Sequence, residues 1–350
     1  MESKKLEERL EKLLREELVR LEEIKAGAEQ VTYLPNHIYV EPTNICNLRC
    51  ATCTPKEIKG KPGKLSLDMW KDIVNYLYEE GAAPTITLIG RGEPLIHPQI
   101  DEIVSAAKEK GLACYIITNG TLLSREKAQR LLEAGLARIQ FSLHATTPGT
   151  YEKMTGKPLY AQVVQNIKEF IRLNDSMGNP CHVSVFSTVS SINEHEMDEF
   201  KEMWEKKVDR VHMHRMFKLH GDSKMAQECS AAVQDDKSKA CTIPWWFFTI
   251  RWDGAIVPCA LDHASRIVIE NIYDRAGKVD LKRAWNSDVY RKLRKAEAAE
   301  DYCTLKEMGY DCQGCEARTN PKTFNELTRF VNGFSKHFTL QFVPTIKDLL

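Results

Sequence analysis

The sequence predicts an α/β protein whose parallel strands curve into a partial (β/α)6 barrel of the TIM-barrel type. Short apolar runs alternate six times with helical patterns between residues 38 and 216. Such alternation is typical of parallel sheets with right-handed crossovers. Polar residues recur just after the strands, where a barrel carries its substrate-binding rim. An open parallel sheet is the alternative. The 350 residues, 43% of them hydrophobic, are enough for a large domain with a smaller one beside it.

The six predicted strands are short apolar runs bounded by turn residues. They span 38–42, 85–90, 113–120, 138–143, 182–189 and 210–216. Helical periodicity predicts a helix between each pair of strands, and Ser66 and Ser124 carry the hydroxyl that caps a helix N-terminus. These helices span 66–80, 98–110, 124–134, 160–173 and 194–206.

Four further segments flank the predicted barrel, which is assigned to residues 37–217. Residues 1–36 repeat Leu among charged residues at helical spacing and predict an amphipathic N-terminal helix. Residues 218–240 are polar and irregular, which indicates a linker or lid. A small cysteine-bearing α+β domain is predicted over 241–318, and a tail over 319–350.

Charge and hydropathy exclude several classes of protein. Forty-nine Lys and Arg balance forty-nine Asp and Glu, so the formal net charge is +0. This neutrality argues against a nucleic-acid partner. The sequence has no apolar run of about 18 residues and no signal-peptide pattern at its N-terminus, so we expect no membrane partner and a cytoplasmic protein.

The eleven cysteines are the most informative feature of the composition. A disulfide scaffold would be short and exported, so clustered cysteines in this chain indicate metal ligands or catalytic groups. Isolated Cys114 and Cys181 lie in apolar runs and are expected to be small buried hydrophobes.

The first cysteine group is Cys46-x3-Cys50-x2-Cys53, directly after the first strand. Three thiolates on one loop can hold three irons of a [4Fe–4S] cluster, and no fourth cysteine is near. One iron would then be open to an exogenous ligand. Zinc bound by the three cysteines and a distant His is the alternative.

The loop CNLRCATC closely resembles the signature of the radical S-adenosylmethionine (radical SAM) superfamily. Three motifs at later strand ends agree with this resemblance: GRGEP (90–94), TNG (118–120) and FSLHA (141–145). The predicted cofactor-binding residues are Gly90, Gly92, Glu93, Asn119, Ser142, His144, Thr188 and His214. In particular, the glycines are expected to let the backbone approach the cofactor, with Glu93 facing the SAM ammonium.

The resemblance implies the chemistry as well as the fold. In the family, the open iron binds SAM through its amino and carboxylate groups. Electron transfer then cleaves the sulfonium to a 5′-deoxyadenosyl radical, which abstracts hydrogen from a substrate. A reducing partner such as flavodoxin or ferredoxin is implied.

A second group of cysteines lies in the C-terminal region: Cys241, Cys259, Cys312 and Cys315. Four thiolates can close a second cluster or a structural zinc site. Gly254 after Asp253 predicts a hairpin turn ahead of Cys259. The pattern resembles the SPASM domain of radical SAM enzymes, or its shorter twitch form, and implies one auxiliary [4Fe–4S] cluster. Cys303 is a spare that could replace one ligand.

Two residues are candidates for the catalytic step. Cys229, in the predicted lid, could give a hydrogen atom to a substrate radical, as epimerisation requires. Arg215, after the histidines of the sixth strand, could act as the base in a dehydrogenation. The structural alternatives are an inert loop cysteine and satisfied polar residues at a strand end.

The sequence therefore predicts a radical SAM enzyme that dehydrogenates or epimerises a small polar substrate such as a sugar, cyclitol or nucleoside. A peptide-modifying maturase is the alternative, and the short stretch before the first strand and the short cysteine series are expected to disfavour it. A non-catalytic iron–sulfur or zinc protein is the second alternative, and the missing fourth ligand argues against a purely structural site.

Overall fold

The structure is a computed structural model that describes residues 19–20, 22–24, 26–53, 61–215, 241, 243–259 and 267–310. Residues 19–20 and 22–24 are helical, as the N-terminal pattern predicts, but residues 26–36, which that prediction included, form turns and irregular chain. Residues 1–18, 21 and 25 lie outside the described residues. The predicted lid, the tail and residues Cys229, Cys312 and Cys315 also lie outside them. No helix in the described ranges is long and apolar enough to cross a membrane.

A single sheet of nine strands organises the fold, in the order β6-β5-β4-β3-β2-β1-β7-β8-β9. The strands are β1 His37–Val40, β2 Thr85–Leu88, β3 Ala113–Thr118, β4 Arg138–Ser142, β5 His182–Val189, β6 Arg210–Arg215, β7 Phe247–Ile250, β8 Ala255–Val257 and β9 Glu270–Asn271. Strands β1 to β6 pair in parallel in sequence order. This arrangement confirms the predicted α/β fold with a parallel sheet.

Helices follow the parallel strands, and further helices lie in the C-terminal region. They are α1 Leu67–Glu79, α2 Ile100–Glu109, α3 Arg125–Glu133, α4 Pro148–Thr155, α5 Tyr160–Ser176, α6 Met197–Trp204, α7 Ile243–Trp246, α8 Leu281–Trp285, α9 Asp288–Ala298 and α10 Tyr302–Glu307. Ser66 and Ser124 cap α1 and α3 as predicted, because their side chains accept from the N–H groups of Met69 and Lys127.

Two helical segments differ from the sequence prediction. The helix predicted over 194–206 is a 3₁₀ turn at Glu194–Glu196 followed by the shorter α6. Helix α4 was not predicted, although its signals are present. Thr147 caps it, Pro148 begins it, and Gly156 ends it in the left-handed conformation.

The two faces of the parallel sheet have opposite character. Successive strand residues point to opposite faces, and Ile38, Ile86 and Ile139 belong to the core shared with the helices. The inner face is polar as well as aromatic. There, the Tyr115 hydroxyl donates to Gln140 Oε1 at 2.7 Å, and both side chains are buried.

The C-terminal region continues this sheet. Strand β7 pairs in parallel with β1, and β8 and β9 then add antiparallel pairs. Gly254, with φ +79°, forms the predicted turn between β7 and β8. The segment that carries Cys241 and Cys259 is therefore joined to the barrel through backbone pairing with β1.

Candidate active site

The loop with the first three cysteines begins just beyond β1 and rests on α4. The N–H groups of Arg49 and Ala51 donate to the carbonyls of Thr155 and Met154 at 3.2 and 2.8 Å. Within the loop, the N–H of Cys53 donates to the Cys50 carbonyl at 3.2 Å. Helix α4, which was not predicted, therefore supports the loop of the three cysteines.

The three thiols of this loop influence one another. Loss of hydration around the sulfur atoms is the main cause that raises their pKa values, to about 12 for half-buried Cys50 and about 11 for Cys53, which as a whole residue is exposed. The charges of Cys53 and Cys46 add to the pKa increase of Cys50, and Cys46 acts on Cys53 in the same way. Thiolates gathered in one loop are the donor set that iron–sulfur clusters require.

The chemistry of these thiols fits an iron–sulfur cluster. Among the described residues, no group of three or more His, Cys, Asp or Glu side chains is arranged to hold one metal ion. In a cubane cluster, each thiolate binds its own iron, so the ligands need not converge on one point. Cys46, Cys50 and Cys53 would hold such a cluster.

The glycines of GRGEP leave space that residues 41–45 occupy. A Cβ atom on Gly92 would lie 2.3 Å from the Thr43 carbonyl oxygen and 2.6 Å from that of Ile45. A Cβ atom on Gly90 would lie 2.4 Å from Cγ of Glu41. The family resemblance implies that these glycines let the backbone approach a cofactor. The structure gives a different reason, which is the close approach of residues 41–45.

Hydrogen bonds to Glu93 connect the ends of β2 and β3. Its Oε1 accepts from the N–H of Leu95 at 3.0 Å and from the Thr118 hydroxyl at 2.6 Å. Its Oε2 accepts from the N–H of Asn119 at 2.8 Å. Burial raises the pKa of this carboxyl. The predicted contact of Glu93 with the SAM ammonium stays a prediction, and here three donors of the chain hold the carboxyl group.

Asn119 joins the TNG motif to the cysteine loop. Its Nδ2 donates to Asn47 Oδ1 at 3.0 Å, and Asn47 Nδ2 donates to Thr121 Oγ1 at 2.8 Å. Thr121 Oγ1 donates in turn to Asn119 Oδ1 at 2.6 Å. Asn47 and Thr121 are not among the predicted site residues, although Asn47 lies inside the cysteine motif.

Two predicted cofactor residues meet at the ends of β4 and β5. His144 has φ +67°, and its Nδ1 accepts from the N–H of Thr188 at 3.0 Å. The side chain of Asn193 donates to the His144 carbonyl at 2.7 Å. Burial lowers the pKa of His144 to about 4, which keeps the imidazole neutral. Ser142, at the end of β4, is half-buried.

The sixth strand separates the remaining candidates. His212 and His214 lie on the same face, with ring centroids 6.3 Å apart, and His214 stacks on Phe186 at 5.8 Å. Burial lowers the pKa of His212 to about 3. Arg215 is exposed and follows His214, so strand alternation places it on the opposite face. The structure therefore does not bring Arg215 together with His214.

Two cysteines of the second group contact the same small apolar cluster in the C-terminal region. Cys241 and Cys259 are half-buried and pack against the small apolar cluster of Ile243 and Phe247. The N–H of Cys241 donates to Glu297 at 3.1 Å, and Glu297 is 1% exposed. Glu297, which lies in α9, is not among the predicted site residues, because no local pattern distinguishes it. Cys303 is exposed, and Cys114 and Cys181 are buried, as predicted for the latter two.

Two sequence families match this chain. Residues 40–203 match the radical SAM superfamily, and residues 241–316 match the iron–sulfur cluster-binding domain SPASM. Together the matches cover more than half of the 350 residues. The protein therefore belongs to the radical SAM superfamily and carries a SPASM domain. The first domain implies SAM and a [4Fe–4S] cluster, the second implies auxiliary iron–sulfur binding, and enzymes of this class need a reductant.

Relatives differ in how much of their length this chain spans. The tungsten-containing aldehyde ferredoxin oxidoreductase cofactor-modifying protein of Pyrococcus furiosus is 29% identical over 41% of this chain and 40% of its own length. The AdoMet-dependent heme synthase of Methanosarcina barkeri is 25% identical over 84% of this chain and 94% of its own. The PqqA peptide cyclase of Gluconobacter oxydans is 24% identical over 83% and 88%. The chain thus spans less than half of the first relative and most of the other two.

Solved structures share the fold. The anSMEcpe structure with bound AdoMet has a TM-score of 0.60 at 12% identity, covering 87% of this chain and 98% of that one. Streptococcus suis SuiB bound to precursor peptide SuiA has a TM-score of 0.58 at 18% identity, covering 79% and 70%. BtrN in complex with AdoMet and 2-DOIA has a TM-score of 0.51 at 19% identity, covering 81% and 94%.

Proposed function

We propose that this protein is a radical SAM maturase that modifies a peptide substrate. The observation that carries the proposal is the similarity to a PqqA peptide cyclase along 83% of this chain and 88% of that relative. The fold shared with SuiB, which was solved with a precursor peptide, supports it. The peptide maturase was the alternative in the sequence analysis, and it now replaces the small polar substrate as the leading proposal.

When bound, SAM and its cluster supply the abstraction of a hydrogen atom from the substrate. The chain's own part is to hold and shield the reacting groups. Cys46, Cys50 and Cys53 would bind the cluster. Ser142, the last residue of β4, and His214, the last but one of β6, are half-buried on the inner face, where they would line the rim that receives cofactor and substrate.

The neutral imidazole of His144 would contribute a donor to this rim. Its Nδ1 accepts a hydrogen bond from the N–H of Thr188, so the single proton of the neutral ring is on Nε2. A donor at this position suits a hydroxyl or carboxylate oxygen of the cofactor. We accordingly retain His144 and Thr188 as proposed cofactor-site residues, with Thr188 acting through its main chain.

A small polar substrate remains the second candidate. The fold shared with BtrN, which was solved with AdoMet and 2-DOIA, favours it, because this chain covers 94% of that structure. Dehydrogenation or epimerisation would then be the reaction. Cys229 is the proposed hydrogen donor of the epimerisation. Arg215, the base that the sequence suggested for the dehydrogenation, is exposed on the face of β6 opposite His214, so we do not retain it in that role.

The two candidates are separated by which substrates stimulate SAM cleavage. The protein is reconstituted with iron and sulfide without oxygen, then mixed with SAM, dithionite and either of two pools. One pool holds synthetic peptides that include all amino-acid types, and the other holds amino sugars, cyclitols and nucleosides. The release of 5′-deoxyadenosine is compared with the release without substrate.

We expect only the peptide pool to raise the release severalfold. Stimulation by the small-molecule pool alone would overturn the peptide proposal in favour of the second candidate. The variant with Cys46, Cys50 and Cys53 replaced by Ala is the control, and it should release nothing with either pool.

A further inference from the structure

Arg91 of the GRGEP loop forms a buried ion pair with Glu41. Arg91 Nε donates to Glu41 Oε1 at 2.9 Å, and Arg91 Nη2 donates to Glu41 Oε2 at 2.9 Å. The main-chain N–H of Arg91 also donates to Glu41 Oε1, at 3.0 Å. Both side chains are 4% exposed. The carboxylate therefore holds both the side chain and the backbone of Arg91.

Glu41 also contacts the C-terminal region. It follows β1 directly, and its N–H donates to the carbonyl of Ile250, the last residue of β7, at 2.9 Å. Gly90 leaves the space that the Glu41 side chain occupies, because a Cβ atom there would lie 2.4 Å from Cγ of Glu41. One residue thus connects β1, β7 and the GRGEP loop.

A buried ion pair is weak evidence for stability, because loss of hydration offsets much of the attraction between the charges. What a two-pronged Arg–carboxylate pair provides is a fixed geometry. Here the fixed part is the main chain at Arg91, inside the motif that is predicted to face SAM. The N–H of Glu93 donates to the Ile45 carbonyl at 2.9 Å, so the GRGEP segment also contacts the residue before Cys46.

We propose that Glu41 and Arg91 are positioning residues for SAM binding. Their pair sets the GRGEP backbone relative to the cysteine loop and β7, and it acts through that backbone without touching the substrate. The inference rests on the radical SAM site and is independent of whether the substrate is a peptide.

The test replaces the pair by apolar residues of similar size, Glu41→Leu with Arg91→Met. This double variant removes both charges together, so no unpaired charge is left in the interior. It also removes the acceptor for the Arg91 N–H. The matched control is the surface pair of Arg130 and Asp101, changed to Gln and Asn. In that pair, Nε and Oδ2 are 3.2 Å apart and the side chains are 50% and 22% exposed.

Three quantities are measured on reconstituted protein: the unfolding temperature, the Kd for SAM and the change that SAM causes in the electron paramagnetic resonance spectrum of the reduced cluster. We expect the apolar pair to fold with a moderately lower unfolding temperature, because the buried Arg91 N–H loses its acceptor. It should bind SAM at least tenfold more weakly and show a smaller spectral change. The surface variant should match wild type in all three.

A Kd for SAM within twofold of wild type in the apolar pair would overturn the proposal. Should that variant fail to fold, Arg91→Lys decides the question, because it keeps the charge and loses the two-pronged geometry. It should bind SAM at least threefold more weakly, and unchanged binding would again refute the positioning role. Neither measurement uses a substrate, so a wrong peptide assignment cannot mimic either result.

Discussion

The imidazole of His144 accepts a hydrogen bond from the main-chain N–H of Thr188 across the ends of β4 and β5, at 3.0 Å. The same residue has φ +67°, a conformation that favours Gly and Asn over other residues. His144 therefore has a structural task in addition to its proposed place at the cofactor rim. Because the two roles use different ring nitrogens, they can be tested separately.

Replacing His144 by Ala should destabilise the fold more than replacing it by Asn. Asn can supply an acceptor near the position of Nδ1 and tolerates positive φ. Ala leaves the Thr188 N–H without its acceptor, which costs about 1–3 kcal/mol. Urea unfolding of both variants checks this expectation. Equal losses in the two variants would show that neither the acceptor nor the backbone conformation matters.

Replacing Gly92 by Ala should disturb the cysteine loop. The new Cβ would lie 2.3 Å from the Thr43 carbonyl oxygen, so the backbone of residues 43–45 must move. Overpacking of this kind costs about 1–3 kcal/mol. We expect lower stability in urea unfolding and less iron bound after reconstitution.

The matched control for that substitution is Gly149→Ala in α4. A Cβ atom at Gly149 meets nothing within 4 Å, and Ala favours a helix over Gly by up to about 1 kcal/mol. This variant should be as stable as wild type or slightly more stable, with iron content unchanged. If both glycine variants lost iron equally, the contact with residues 43–45 would not be the cause.

The stability of the fold should fall in mild acid, in part because of His37. Burial, with smaller contributions from Arg20 and Arg138, lowers the pKa of His37 from 6.5 to about 4. Between these values the unfolded chain binds a proton that the folded protein excludes. The free energy of unfolding therefore decreases as the pH falls from 6.5 to 4, by up to about 3 kcal/mol from this group.

The variant His37→Gln isolates that contribution, because an amide does not titrate. Its free energy of unfolding should decrease less steeply over the same pH range, whatever its stability at pH 7. Urea unfolding at several pH values gives both curves. Parallel curves for the variant and wild type would contradict the assignment.

The iron content should report two separate cluster sites. Each cubane holds four irons, so we expect about eight irons per chain after reconstitution. Replacing Cys46, Cys50 and Cys53 by Ala should leave about four. About four irons in wild type, falling to none in the variant, would mean that the second cysteine group holds zinc or no metal.

Local patterns in the sequence predicted most of the barrel. The strand predicted over 182–189 is β5 His182–Val189, and the helices capped by Ser66 and Ser124 begin where those residues indicate. Such signals lie within a few consecutive residues, so they can be recognised without knowledge of the fold. The spacing of Cys46, Cys50 and Cys53 is equally local.

Contacts between distant segments were beyond the sequence. The pairing of β7 with β1 joins residues about two hundred positions apart, and no periodicity encodes it. The pair of Glu41 and Arg91 was missed for the same reason, although both residues adjoin motifs that the sequence displayed.

The cysteine spacing and the GRGEP and TNG motifs are properties of short runs of residues, so membership of the radical SAM superfamily could be predicted without the fold. The tertiary structure decided what those motifs contact. It gave the space beside Gly90 and Gly92 to residues 41–45, and it surrounded the Glu93 carboxylate with donors of the chain. The physical reason is that steric fit and burial depend on segments that meet only when the chain is folded.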